Sequence, residues 1–249
     1  MDSGLYAAYT GVLARTQALD TAANNLANAS TNGFRAQRDY FRGVLAGIAP
    51  ESDSSGTQDS VNRFGLLGGS QVDLSQGLVA STGNPLDLAL EGQGFFQVKT
   101  AHGVELTRDG SFLRGADGTL TDQKGEAVLS KLGAPLVLPS GSVHVSADGT
   151  VSVDTANGSA VAGEIGIVSY AATDLKPVGA NHFRVATDAK PTAPDATVQQ
   201  GSLEGANQDA VHGTMQLMML QRQAEMMQHA LSVFDNGFDK TAAEELGRV

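Results

Sequence analysis

The sequence predicts an α+β fold: paired N- and C-terminal α-helices of coiled-coil-like kind, an extended arm, and an inserted all-β domain. Three observations carry this expectation. Apolar residues recur at sevens near the N-terminus and at threes and fours near the C-terminus, while the middle alternates and is punctuated by Asp-Gly and Asn-Gly pairs.

At the N-terminus Leu5, Val12, Leu19 and Leu26 stand seven apart, and Tyr9, Thr16 and Ala23 follow four residues on. That is a narrow helical seam. Asn32-Gly33 supplies a stop, because both residues tolerate the left-handed conformation that ends helices. This helical segment is expected over residues 1–45. From 46 to 83 the texture changes to serine and glycine, as in "ESDSSGTQDS" and "GLLGGS", which reads as an extended arm.

Over 84–200 alternation takes over. In "LDLALE" Leu86, Leu88 and Leu90 are expected to face one way and Asp87 and Glu91 the other. Asp109-Gly110, Asp117-Gly118, Asp148-Gly149 and Asn157-Gly158 are hairpin signals, the third joining "VHVSA" to "TVSVD". A second helical segment is expected over 201–249, where Leu217, Leu220, Ala224, Met227, Leu231, Phe234 and Phe238 alternate spacings of three and four. Met215, Met219, Met226 and Val233 widen that stripe.

The stretch "ANNLANASTNGFRAQRDYF" places Asn24, Asn25, Asn28 and Asn32 where a solvated helix would carry Lys and Glu, and Asp20 is the only charge between Thr16 and Phe34. Amides pair inside an interface without the desolvation cost of a charge. The expectation is a helix covered on all sides, its amides facing a neighbour, although cap and turn chemistry accounts for Asn32 and is an alternative for the others.

Several function classes are excluded by composition. A net charge of −11 opposes binding to a phosphate backbone, so no nucleic acid is expected. The chain has no cysteine, hence no disulfide or thiolate metal site. Its five histidines are scattered, with no HExxH and no G-x-S-x-G, and the G-x-G of "EGQGFF" lacks a third glycine and a following helix. No enzyme activity, metal or cofactor is expected. No segment reaches the roughly 20 apolar residues that span a bilayer, so no lipid insertion is expected, and "MDSGLYAAYTG" lacks the basic start of a secretory signal.

Three motifs carry a resemblance. "NNLANASTNGFRAQR", "TGNPLDLALEGQGFFQV" and "QGSLEGANQDAV" resemble, in this order, the signatures of the bacterial flagellar axial proteins of rod and hook. The length resembles a rod subunit, the proximal rod before the distal. The resemblance implies a structural subunit whose terminal helices line a hollow tube, exported by the flagellar type III apparatus without cleavage. It implies as partners copies of the same chain and other axial proteins. The interface residues expected on this reading are Leu5, Tyr9, Val12, Leu19, Leu26, Asn24, Asn25, Asn28 and Asn32, with Leu217, Leu220, Ala224, Met227, Leu231 and Phe234. The alternative from another class is a ligand-binding or adhesin-like β module, against which the absence of Trp counts where sugars are concerned.

Overall fold

The structure, a computed structural model, describes residues 2–43, 65–156, 158–179, 181–186 and 189–246. Among the described residues its α-helices are α1 (Asp2–Ala27) and α2 (Ala210–Leu246), and a 3-10 turn (Ala172–Asp174) and short antiparallel strands are the other regular elements. The chain divides into two compact units. One holds the described residues within Met1–Leu26, Gln37–Gln71 and Val211–Val249; the other holds Ala27–Ala36 and Val72–Ala210.

In the first unit, strands Gln37–Gly43 and Gly65–Val72 pair with each other. The second of these begins inside the stretch expected as an arm, of which residues 46–64 lie outside the described residues. The expected coiled-coil-like pairing of the terminal helices is overturned. Among the described residues, every pair of elements in sustained backbone contact is a pair of strands, and α1 with α2 is not such a pair. One close approach joins them: a Cβ added at Gly11 would lie 3.7 Å from Met227 Cε.

The reason lies in the second position of the heptad. Tyr9, Thr16 and Ala23 are exposed, and Thr16 spends its hydroxyl on the Val12 carbonyl (3.1 Å). The buried stripe of α1 instead follows Ala14, Ala18, Ala22 and Asn25, at steps of four and three, the period of a straight helix.

The second unit is built on the strand Phe95–Thr100, whose alternation places Phe96 and Val98 in one core and Phe95 in another. The larger core joins Leu88, Leu90, Phe112, Leu120, Val128, Leu138, Val153 and Ile165 to them. Phe96 meets Phe112 edge-on at 5.1 Å, and Phe95 meets Phe183 at 5.5 Å. The strand Leu88–Gln93 pairs with Asp195–Gln200, and Val79–Ser81 with Ser202–Glu204.

The hairpin at Asp148-Gly149 forms as its sequence predicts. Val145 pairs Val151 across it, Gly149 has φ +86°, and the Asp148 carboxylate accepts from the Thr150 amide and hydroxyl. Asp117-Gly118 likewise turns between Leu113–Arg114 and Leu120–Thr121. Asp109-Gly110 is different. It is a side-chain turn, Asp109 accepting from the Ser111 amide and hydroxyl, pressed so close to Leu88 that a Cβ at Gly110 would meet the Leu88 carbonyl. Asn157 lies outside the described residues.

Asp87, on the opposite face from the leucines by alternation, is buried as well. Thr82 and Asn84 donate to its two carboxylate oxygens at 2.6 and 2.9 Å, so the "TGNPLD" turn satisfies its charge from within.

Candidate functional site

The two terminal motifs meet in the second unit, at a junction that no local pattern announces. α1 stops at Ala27, where the run Asn28-Ala-Ser-Thr prefers turns, and the Thr31 amide donates to the Asn28 carbonyl at 3.0 Å. Gly33 then takes φ +66° and lies flat on the Arg108–Asp109 backbone, its amide donating to the Glu204 carbonyl at 2.7 Å. The chain leaves extended, with Phe34, Arg35 and Ala36 buried.

Two side chains of "GSLEGANQD" receive it. Asn207 accepts from the Ala36 amide at 2.7 Å and donates to the carbonyls of Asp73 (2.9 Å) and Ser75 (3.0 Å). The buried Glu204 carboxylate contacts Arg35 Nη2 at 2.7 Å and Arg108 Nε at 3.2 Å, and accepts from the Gly77 amide at 2.8 Å. Arg108 also donates to the Gly92 carbonyl and stands over the Phe95 ring. Burial lowers its pKa to about 10 against the support of Glu204, with the Arg35 charge lowering it further. Sequence reasoning missed Arg35, Arg108, Glu204 and Asn207. For Arg35, Glu204 and Asn207 the one signal was membership in the quoted motifs, and Arg108, which lies in none of them, had none.

The expected interface residues are divided by the structure. Because α1 ends at Ala27, Asn28 and Asn32 lie beyond it, and the four asparagines do not share one helical face. Asn24 is exposed, and Asn28 and Asn32 are half-buried. Asn25 is buried within its own chain: it donates to the Gln37 carbonyl (2.8 Å) and accepts from the Gln37 amide (2.9 Å), as one rung of a β-ladder would. Asn25→Ala removes both bonds and strands two backbone groups. It should cost about 1–3 kcal/mol and expose the Gln37 amide to hydrogen exchange; unchanged protection there would show the rung to be dispensable.

Val12, Leu19 and Leu26 are half-buried, and the side chain of Leu5 lies outside the described residues, as does that of Phe234. On α2, Leu217, Leu220, Ala224, Met227 and Leu231 are half-buried and share one stripe with the buried Gly213. Opposite them runs a second apolar stripe, about 100° wide, of Val211, Met215, Met218, Met219, Met226 and Val233, all exposed.

One constellation of titratable groups forms that the scattered histidines did not suggest. The buried His182 has Glu105 and Glu126 at 3.2 and 3.3 Å from Nδ1 and Asp122 at 3.4 Å from Nε2. Burial works to raise the Glu105 pKa, but hydrogen bonds from Arg184 and His182 hold it below the usual range. Burial raises that of the neighbouring Asp109. Asp122, Glu126 and His182 are the residues that could hold a metal, their ligand atoms lying within 4.8 Å of one another. The His182 ring meets these carboxylates through both of its nitrogens without any metal.

Comparison with known proteins places these features in a family. Residues 5–35 match the model described as flagella basal body rod protein, and residues 89–153 the D1 domain of flagellar hook protein FlgE/F/G. The flagellar basal-body rod protein FlgF of Caulobacter vibrioides is 33% identical, covering all of both chains. The FlgF of Escherichia coli is 32% identical over 93% of this chain and 94% of its own. The rod protein FlgG of Bacillus subtilis is 31% identical over 84% and 79%.

Proposed function

The chain belongs to the flagellar basal-body rod proteins, and from that premise we propose that it polymerises through its terminal helices into the wall of a hollow axial tube that transmits torque. It is a structural subunit of the bacterial flagellar basal body, located in the rod. It assembles with other axial proteins of rod and hook, and copies of itself are the further partners proposed here. FlgF-named relatives matching over 100% and 93% of this chain favour the proximal rod. Export through the flagellar type III apparatus completes the reading, and among the described residues no helix is long and apolar enough to cross a membrane.

The observation that supports polymerisation through helices is the pair of opposed apolar stripes on α2. A helix apolar on two sides needs two partners, and one folded chain supplies at most one. The exposed methionines are then buried by neighbours, at roughly 1.5–3 kcal/mol each before the cost of ordering. The half-buried Leu217, Leu220, Ala224, Met227 and Leu231 and the apolar positions of α1 belong to the same proposed interface.

Met219→Lys and Met226→Lys test this directly. Both positions are exposed, at 61% and 64%, so the isolated chain should keep its stability within about 0.5 kcal/mol. In the rod the new charge would be desolvated without a partner, so incorporation into basal bodies and motility should fail. Normal rods from both variants would remove this stripe from the assembly surface.

A further inference from the structure

Arg35 and Arg108 are each only 2% exposed, and among the described residues Glu204 is the one acidic group paired with either. Two guanidinium charges therefore share one carboxylate, leaving a buried net charge of about +1. Their hydrogen-bonding capacity is unequal to their partners as well. Arg35 Nε, Nη1 and Nη2 and Arg108 Nη1 are buried with no hydrogen bond, Nη2 meeting Glu204 only as an ion pair, and Glu204 Oε2 is likewise buried without one. Buried guanidinium N–H groups without acceptors are rare in folded proteins, and the cost of leaving a charged donor unmet is high.

Both arginines line a small cavity of about 10 Å³, together with Ser169, Gln93 and the apolar Phe95 and Leu74. We propose that this cavity binds a single small monovalent anion of the chloride class, held by the free N–H groups of Arg35 and Arg108. The charge balance calls for one negative charge, which an anion supplies and a water molecule does not. At that size the cavity admits one small monatomic anion and is too small for phosphate or a carboxylate ligand. The chain as a whole carries −11, so general electrostatic attraction would not draw an anion here, and only the local charge of the two arginines would. The anion would complete the polar junction that holds the "NGFRAQ" segment against "GSLEGA".

Two measurements on the full-length chain test this. Crystals grown in bromide should give one anomalous peak within hydrogen-bonding reach of both arginines; a water or empty density there overturns the proposal. In solution, exchanging gluconate for chloride at constant ionic strength should raise the thermal midpoint by about 3–5 °C for each tenfold of chloride above its Kd. Arg35→Met should abolish that dependence, and Lys131→Met, at an exposed site, should preserve it. A bromide peak without any chloride dependence of the midpoint would mean binding at crystal concentration only, and would also overturn it.

Discussion

Glu204→Gln is expected to destabilise the chain by about 3–5 kcal/mol, the largest loss from any single substitution considered. The replacement is nearly isosteric and keeps an oxygen for the Gly77 amide, so packing is hardly touched. What disappears is the one carboxylate between Arg35 and Arg108, leaving two buried guanidinium groups with no counter-charge from the protein itself. Removing an arginine is a different operation. Arg35→Met leaves Arg108 and Glu204 as a neutral pair and substitutes an unbranched apolar chain for a charge whose Nε and Nη1 have no acceptor. It should cost less than half as much. Urea denaturation followed by far-ultraviolet circular dichroism, in one fixed buffer, measures both. Equal losses, or a loss under about 1 kcal/mol for Glu204→Gln, would show that net charge does not govern this junction.

That junction could not be read from the sequence, and the reason is physical. α2 was legible because helical periodicity is local: spacings of three and four from Leu217 to Phe238 mark one side of a cylinder whatever packs on it. The turn at Asp148-Gly149 was legible for the same reason, since φ +86° and two side-chain bonds are settled within four residues. Arg35, Arg108 and Glu204 come from three distant segments, and each alone looks like an ordinary surface charge. Asp87 is a similar case: alternation sets it apart from the leucines without telling that it is buried, which Thr82 and Asn84, in the turn just before it, make tolerable.

The coiled coil failed on a subtler point. A seven-residue interval fits both a supercoiled seam and a straight helix, and only the residues at the second position distinguish them. Tyr9, Thr16 and Ala23 are not a sequence that packs as a seam, and the small side chains of Ala14, Ala18 and Ala22 are buried instead. Of the four asparagines the one that is buried, Asn25, serves its own chain by imitating a strand.

Gly33→Ala should cost about 2–4 kcal/mol, and its control is another glycine. Both Gly33 and Gly83 have positive φ, +66° and +76°, so alanine at either must adopt the left-handed conformation, at about 1–2 kcal/mol. Around Gly83 an added Cβ would meet nothing within 4 Å, so the conformational cost is the whole cost. At Gly33 the same atom would collide with the Arg108 carbonyl and the Asp109 nitrogen, and backbone cannot rotate aside. The segment would have to lift off the 108–109 strand end, stretching the Gly33 amide away from the Glu204 carbonyl and drawing Arg35 from its carboxylate. The effect should therefore appear in the junction and not only in the midpoint: Gly33→Ala should weaken protection of the Ala36 amide, held by Asn207, while Gly83→Ala leaves it intact. Denaturation midpoints and hydrogen exchange on the two variants decide the matter. If Gly33→Ala is no worse than Gly83→Ala by either measure, the close approach to Arg108 and Asp109 is not what requires glycine here.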